Sequence, residues 1–122
     1  MALALAELHR VCTQSARILL ILGRESNVHK TAFYNGQMLE RLAADVVGMR
    51  LDLKQERVFL NRFGQSIYED LLHLSLQPGH SPPKGVIVQR ARSLGRDVLS
   101  EAVERTPSDR RHYLRDAIGR VS

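Results

Sequence analysis

The sequence predicts an all-α fold, with about five helices packed as an irregular helical bundle around a long central helical segment. Three observations lead to this. Leu42, Val46, Met49, Leu53, Leu60, Phe63, Ile67 and Leu74 recur at steps of three, four or seven, which would set them along one stripe of a helix. Aromatics make up only 5% of the chain and Trp is absent, so a core of Leu, Val, Ile and Ala is expected, and Leu and Ala are strong helix formers. The 122 residues are 43% hydrophobic and 25% charged, enough for one ordinary core and a single helical domain over 1–122.

The first helix is expected from about Ala2 to Leu22, closed by Gly23 in a left-handed cap. Its buried stripe would be Leu5, Leu8, Cys12, Ala16, Leu19 and Leu22. Arg24 to Lys30 is polar and reads as a loop. A second helix starts between Asn27 and Asn35, with Asn35-Gly36 as a turn-like pair, and carries Met38, Leu42, Val46 and Met49.

Two readings compete over residues 46–60. Met49 to Leu53 alternates like a strand, and a hairpin with Val58-Phe59-Leu60 is one solution. Helix is favoured because the stripe stays in phase and Asp52 with Gln55 resembles a capping box. Gly64 would then add a bend before Ile67, Leu71 and Leu74.

Gln77 to Pro83 is the clearest break, since Pro cannot continue a helix and Pro-Gly favours a turn. Ser81, before two prolines, suits a helix start. The helix that follows, about Pro82 to Glu104, carries Ile87, Ala91, Leu94 and Val98 on one face. Thr106-Pro107-Ser108-Asp109 opens the last helix, with Thr106 as N-cap, burying Tyr113, Leu114, Ala117 and Ile118.

Chemistry-bearing patterns are few. Cys12 has no second cysteine to pair with, and on a helical face with Leu8, Ala16 and Leu19 it reads as an inert thiol. His9 and Cys12 share a face but lack further metal ligands nearby; His29, His73, His80 and His112 are isolated. The sequence holds no phosphate loop, nucleophile elbow or His-Glu-x-x-His motif, so neither catalytic residue, metal nor cofactor is assigned. The longest apolar run, Ile18 to Leu22, is too short to cross a bilayer, and the first residues lack the pattern of a signal peptide. A cytoplasmic protein without membrane attachment is expected.

Two surfaces remain. Val47, Leu51, Val58 and Phe59, with Leu72 and Leu76, are apolar outside the main stripe; a helix apolar on two sides needs a second partner. These positions are the candidate protein interface, with a homodimer as the first expectation. The net charge of +5 is uneven: residues 84–122 hold 9 Lys+Arg against 5 Asp+Glu. Arg92, Arg96, Arg110, Arg111 and Arg115 form the candidate anion or nucleic-acid surface. Asp97, Glu101, Asp109 and Asp116 are interleaved and would dilute it. The function expected is a non-enzymatic regulator, adaptor or chaperone that binds another protein; the alternative is a nucleic-acid-binding regulator.

Overall fold

The computed structural model describes residues 1–79 and 82–121 and overturns the all-α expectation. The chain is 50% helix and 32% strand, an α+β fold with two antiparallel sheets rather than a helical bundle. In order, it runs α1 (Ala2–Val11), β1 (Arg17–Gly23), β2 (Glu25–Val28), β3 (Thr31–Tyr34) and α2 (Asn35–Arg41). A π-helical turn (Leu42–Val47) leads to β4 (Met49–Leu60) and β5 (Ser66–Leu76). Then come α3 (Lys84–Arg105), a short 3-10 turn (Ser108–Arg110) and α4 (Arg111–Val121). His80 and Ser81, the latter expected to open a helix, lie outside the described residues.

The central helical segment ends at Val47, as α2 and its π-helical continuation, and does not run on to Leu74. Residues 49–60 form one twelve-residue strand, and its partner is β5, not a segment within 49–60. Asn61 organises the turn: its Oδ1 accepts from the Phe63 and Gln65 amides at 2.9 and 3.0 Å. Gly64 does not bend a helix; it occupies the left-handed region at φ 75° that this turn requires. Asp52 caps no helix. The register of β4 against β5 slips between Leu51 and Leu53, which leaves Asp52 as the extra residue of a bulge.

The expected first helix is also split. It stops at Val11, and Arg17 to Gly23 is strand, so Gly23 ends β1 instead of capping a helix. The expected loop at 24–30 contains β2. The later helices are close to expectation, except that Thr106 caps the end of α3 rather than the start of α4, and that Tyr113, expected to be buried, is exposed. Thr106 Oγ1 donates to the Ala102 carbonyl at 2.7 Å.

Two layers result. The main sheet has the order β1-β5-β4, all antiparallel, so β5 is central. Successive strand residues face opposite sides. On β5, Asp70, Leu72, Leu74 and Leu76 point inward and are buried. Ala2 and Leu5 of α1, Ala43, Val46 and Val47 of the π-helical turn, and Ile87 of α3 pack with Met49, Leu74 and Leu76 in one core. The π geometry turns the consecutive Val46 and Val47 inward together, each 1% exposed.

A second cluster holds the small β2–β3 hairpin. Ala102, Val103 and Leu114 are buried with Phe33 and Ile118 against them. Buried Thr31 and Thr106 share a hydroxyl hydrogen bond of 2.7 Å, and Arg105 donates to the Ala32 carbonyl at 3.0 Å. The hairpin loop is only His29-Lys30, both at positive φ (49° and 59°), a conformation uncommon outside Gly and Asn. Tyr113 of α4 stacks on the His29 ring at 4.2 Å and so holds that loop.

Two outcomes follow for stability. Leu72→Ala should cost about 2–5 kcal/mol by leaving a cavity, whereas Leu60→Ala, at a side chain 68% exposed, should stay within about 0.5 kcal/mol; urea unfolding of both variants checks this. Gly36→Ala, ordinarily favourable in a helix, should cost about 1–3 kcal/mol, because the new Cβ would overlap the buried Asp70 carboxylate. A Gly36→Ala protein as stable as the parent would refute that packing.

Candidate binding surface

The helices cover one face of the main sheet and leave the other bare. The bare face is set by register: Leu19 lies opposite His73 and Ile21 opposite Leu71, while on the far side His73 meets Leu53, Leu71 meets Gln55 and Ile67 meets Phe59. Leu19, Ile21, Leu53 and Phe59 are 51%, 52%, 48% and 41% exposed. Leu71 and Ile67, on the central strand, are half-buried between them. Large apolar side chains adjoining across three strands are uncommon on a free surface and mark contact sites.

The end of the β4–β5 hairpin adds to this surface from its other side. Val58, Leu60 and Tyr68 lie on the face that packs against helices nearer Met49, yet here they are exposed. Phe63 of the turn is 71% exposed. The hairpin thus reaches past the helical layer with apolar groups on both faces. Arginines lie over its aromatics: Arg62 over Phe63 at 4.7 Å, Arg57 over Phe59 at 5.5 Å, and Arg24 over Tyr68 at 4.6 Å. Arg57 also pairs with Glu69 across the strands, and His73 Nε2 lies 2.7 Å from Gln55 Oε1. Arg24 reaches Glu56 at 3.0 Å and the buried Asp70 at 3.7 Å.

The opposite end of the bare face is polar. Asp52, displaced by the bulge, lies 2.7 Å from Arg50 Nε and 3.6 Å from Arg17 Nη1. The nearby Ser75 hydroxyl, then Arg50 and Arg17, hold its carboxyl below the usual Asp value.

The four interface positions expected from sequence separate in the structure. Val47 is in the core, and Leu51 is half-buried against that core. Val58 and Phe59 are exposed, on opposite faces of β4. Leu19 and Ile21, absent from the expected set, supply the far side of the surface; the unbroken run Ile18 to Leu22 was the signal for them.

The arginine set separates as well. Arg111 Nε donates to the Thr106 carbonyl at 3.0 Å and Arg110 lies 3.6 Å from Asp109, so both serve the α3–α4 corner. Arg92, Arg96 and Arg115 are exposed, and none pairs with a carboxylate among the described residues. The interleaved acids do not neutralise them: Glu101 pairs with Arg41 on another helix.

His9 is buried in the last turn of α1, and Cys12 is half-buried just beyond it. Among the described residues no three His, Cys, Asp or Glu side chains converge as a metal site would need. No helix among them is long and apolar enough to cross a membrane.

Asp52 carries a pH prediction. A carboxyl with a depressed folded-state pKa stabilises the fold above its unfolded value, and that contribution is lost as pH falls through the folded value. Asp52→Asn should therefore flatten the acid side of the stability profile below the ordinary Asp range and leave its shape at neutral pH unchanged. Urea midpoints across that range measure it; parallel acid limbs for parent and variant would refute it. No protein-family model, curated protein or solved structure matches the chain.

Proposed function

We propose that this chain is a non-enzymatic cytoplasmic adaptor or chaperone that works by binding protein, and that its first partner is a second copy of itself. The observation that carries the reading is the bare apolar sheet face bounded by β4, an edge strand of twelve residues. A long edge strand presents unpaired backbone donors and acceptors, which a further strand satisfies. The β4 sequence is suited to pair with itself. Lys54-Gln55-Glu56 carries opposite charges on either side of Gln55, so two copies set antiparallel about that residue place each Lys54 opposite the other copy's Glu56. Opposite charges directly across an antiparallel pair are stabilising, and like charges are not. The resulting six-stranded sheet would join two bare faces into one apolar platform for a further protein.

Sedimentation equilibrium in the micromolar range tests this. The parent should show twice the 13.8 kDa monomer mass. Lys54→Glu should shift it toward monomer, and Lys54→Glu combined with Glu56→Lys should restore the dimer, with circular dichroism unchanged in each. The intramolecular pairs lost, Lys54–Glu40 at 4.0 Å and Arg24–Glu56, are solvent-exposed enough to matter little to folding. A parent that stays monomeric, or a charge swap that fails to rescue, overturns the reading.

A further inference from the structure

The main sheet has a second edge, β1, on the side away from β4. Its pairing with β5 fixes where its backbone points. The Arg24 amide donates to the Tyr68 carbonyl at 3.1 Å, and the register continues through Leu22 opposite Asp70, Leu20 opposite Leu72 and Ile18 opposite Leu74. Alternate residues of a strand turn their amides and carbonyls to opposite sides. Those of Arg17, Leu19, Ile21 and Gly23 therefore point away from β5. The Gly23 end is closed: Asn35 Nδ2 donates to the Gly23 carbonyl at 3.1 Å, and the Asn35 amide donates to the Arg24 carbonyl at 2.9 Å. No donor or acceptor among the described residues reaches the outward groups of Arg17, Leu19 and Ile21. Their side chains are exposed as well.

Ile18 to Leu22 is an unbroken aliphatic run without charge, proline or glycine, the composition that makes an open edge adhesive. A second β1 fits it. Set antiparallel with Leu19 opposite itself, two copies place Arg17 opposite Ile21 and Ile18 opposite Leu20. Every free amide and carbonyl on both edges then finds a partner. A shift toward Gly23 meets the Asn35 side chain, and a shift the other way runs into the turn closed by the Ala16 amide on the Thr13 carbonyl. The two Arg17 side chains lie about 14 Å apart along this seam, too far to repel strongly.

We propose that the β1 edge is a second self-association surface, where another copy adds its own β1 antiparallel with Leu19 on the two-fold axis. Growth beyond two copies rests also on the β4 pairing proposed above. With both edges self-complementary and on opposite sides of one sheet, copies add end to end into an open ribbon rather than a closed pair. β1 brings residues 17–21 to its seam and β4 brings a strand of twelve, so β4 pairs at lower concentration and β1 follows in the sub-millimolar range.

Sedimentation equilibrium from micromolar to sub-millimolar concentration tests this. The Lys54→Glu protein, left with the β1 edge, should pass from the 13.8 kDa monomer to twice that mass and stop there, whereas the parent should keep rising. In the Lys54→Glu background, Leu19→Lys and Leu19→Glu should each stay monomeric, because like charges then meet on the axis, and an equal mixture of the two should regain the dimer. Leu53→Lys in that background puts a charge on the same bare face but away from β1, and should leave the dimer intact. Circular dichroism should match the parent throughout, since Leu19 and Leu53 are exposed. A Lys54→Glu protein that stays monomeric at sub-millimolar concentration, or a charge mixture that does not associate, overturns the assignment. Loss of the dimer in Leu53→Lys overturns it too, since the contact would then be through the bare face. A parent monomeric at micromolar concentration, with the Lys54→Glu protein still dimeric at high concentration, would sink the β4 pairing and support the β1 edge.

Discussion

Everything in this fold depends on the central strand being buried on one side only. Leu72, Leu74 and Leu76 of β5 are removed from water by a single helical layer. That layer is drawn from three places in the chain: α1, α2 with its π-helical continuation, and α3. With all of it committed to one face, no element is left for the other. An antiparallel sheet tolerates this arrangement because its strands alternate, and the outward positions are ordinarily polar. Here Arg17, Arg50, Asp52 and Ser75 cluster at one end and the His73–Gln55 and Arg57–Glu69 pairs lie farther along, but Leu19, Ile21, Leu53, Phe59, Ile67 and Leu71 share the same face. The excess apolar surface is thus a consequence of topology and sequence together.

The smaller β2–β3 hairpin has a different anchor. Four strand residues a side are too few to stand alone. It is joined to the α3–α4 corner by the Thr31–Thr106 hydroxyl pair, the Arg105 bond to Ala32 and the His29–Tyr113 stack. The C-terminal arginines are divided by the same corner: those near Thr106 are consumed in building it, and Arg92, Arg96 and Arg115 pair with no carboxylate among the described residues.

Part of this was legible in the sequence. The break before Pro82, the long helix after it and the Pro107 corner rest on strong local signals, since Pro forbids helix continuation at defined positions. The middle of the chain read as helix rather than strand, despite the Met49–Leu53 alternation, because its pattern is degenerate. Steps of three, four and seven also arise when a twelve-residue strand has apolar residues on both faces and slips by one at a bulge, as β4 does at Asp52. The stripe accordingly mixes core and surface: Val46, Met49 and Leu74 are buried, whereas Leu60 and Phe63 are largely exposed. Val58 and Phe59 were rightly noticed as apolar on two sides, but the two sides are those of a strand. At the start of the chain, helical spacing from Leu5 to Leu22 hid a change of period after Cys12; Ile18 and Ile21, flanked by Arg17 and Gly23, carry the strand preference.

The length of the β4–β5 hairpin also has a consequence for motion. Near Met49 and Leu76 its amides are locked beneath the common core, and as far as Tyr68, whose carbonyl accepts from the Arg24 amide at 3.1 Å, β5 is flanked by β1; beyond Val58 and Tyr68 its backbone hydrogen bonds are sheltered by little but one another. Opening of this tip therefore exposes little new apolar surface and needs only a fraction of the free energy of global unfolding. The molecule is graded along this ribbon, rigid at its root and yielding at its tip, so its most exposed aromatic groups are also those freest to adjust their position.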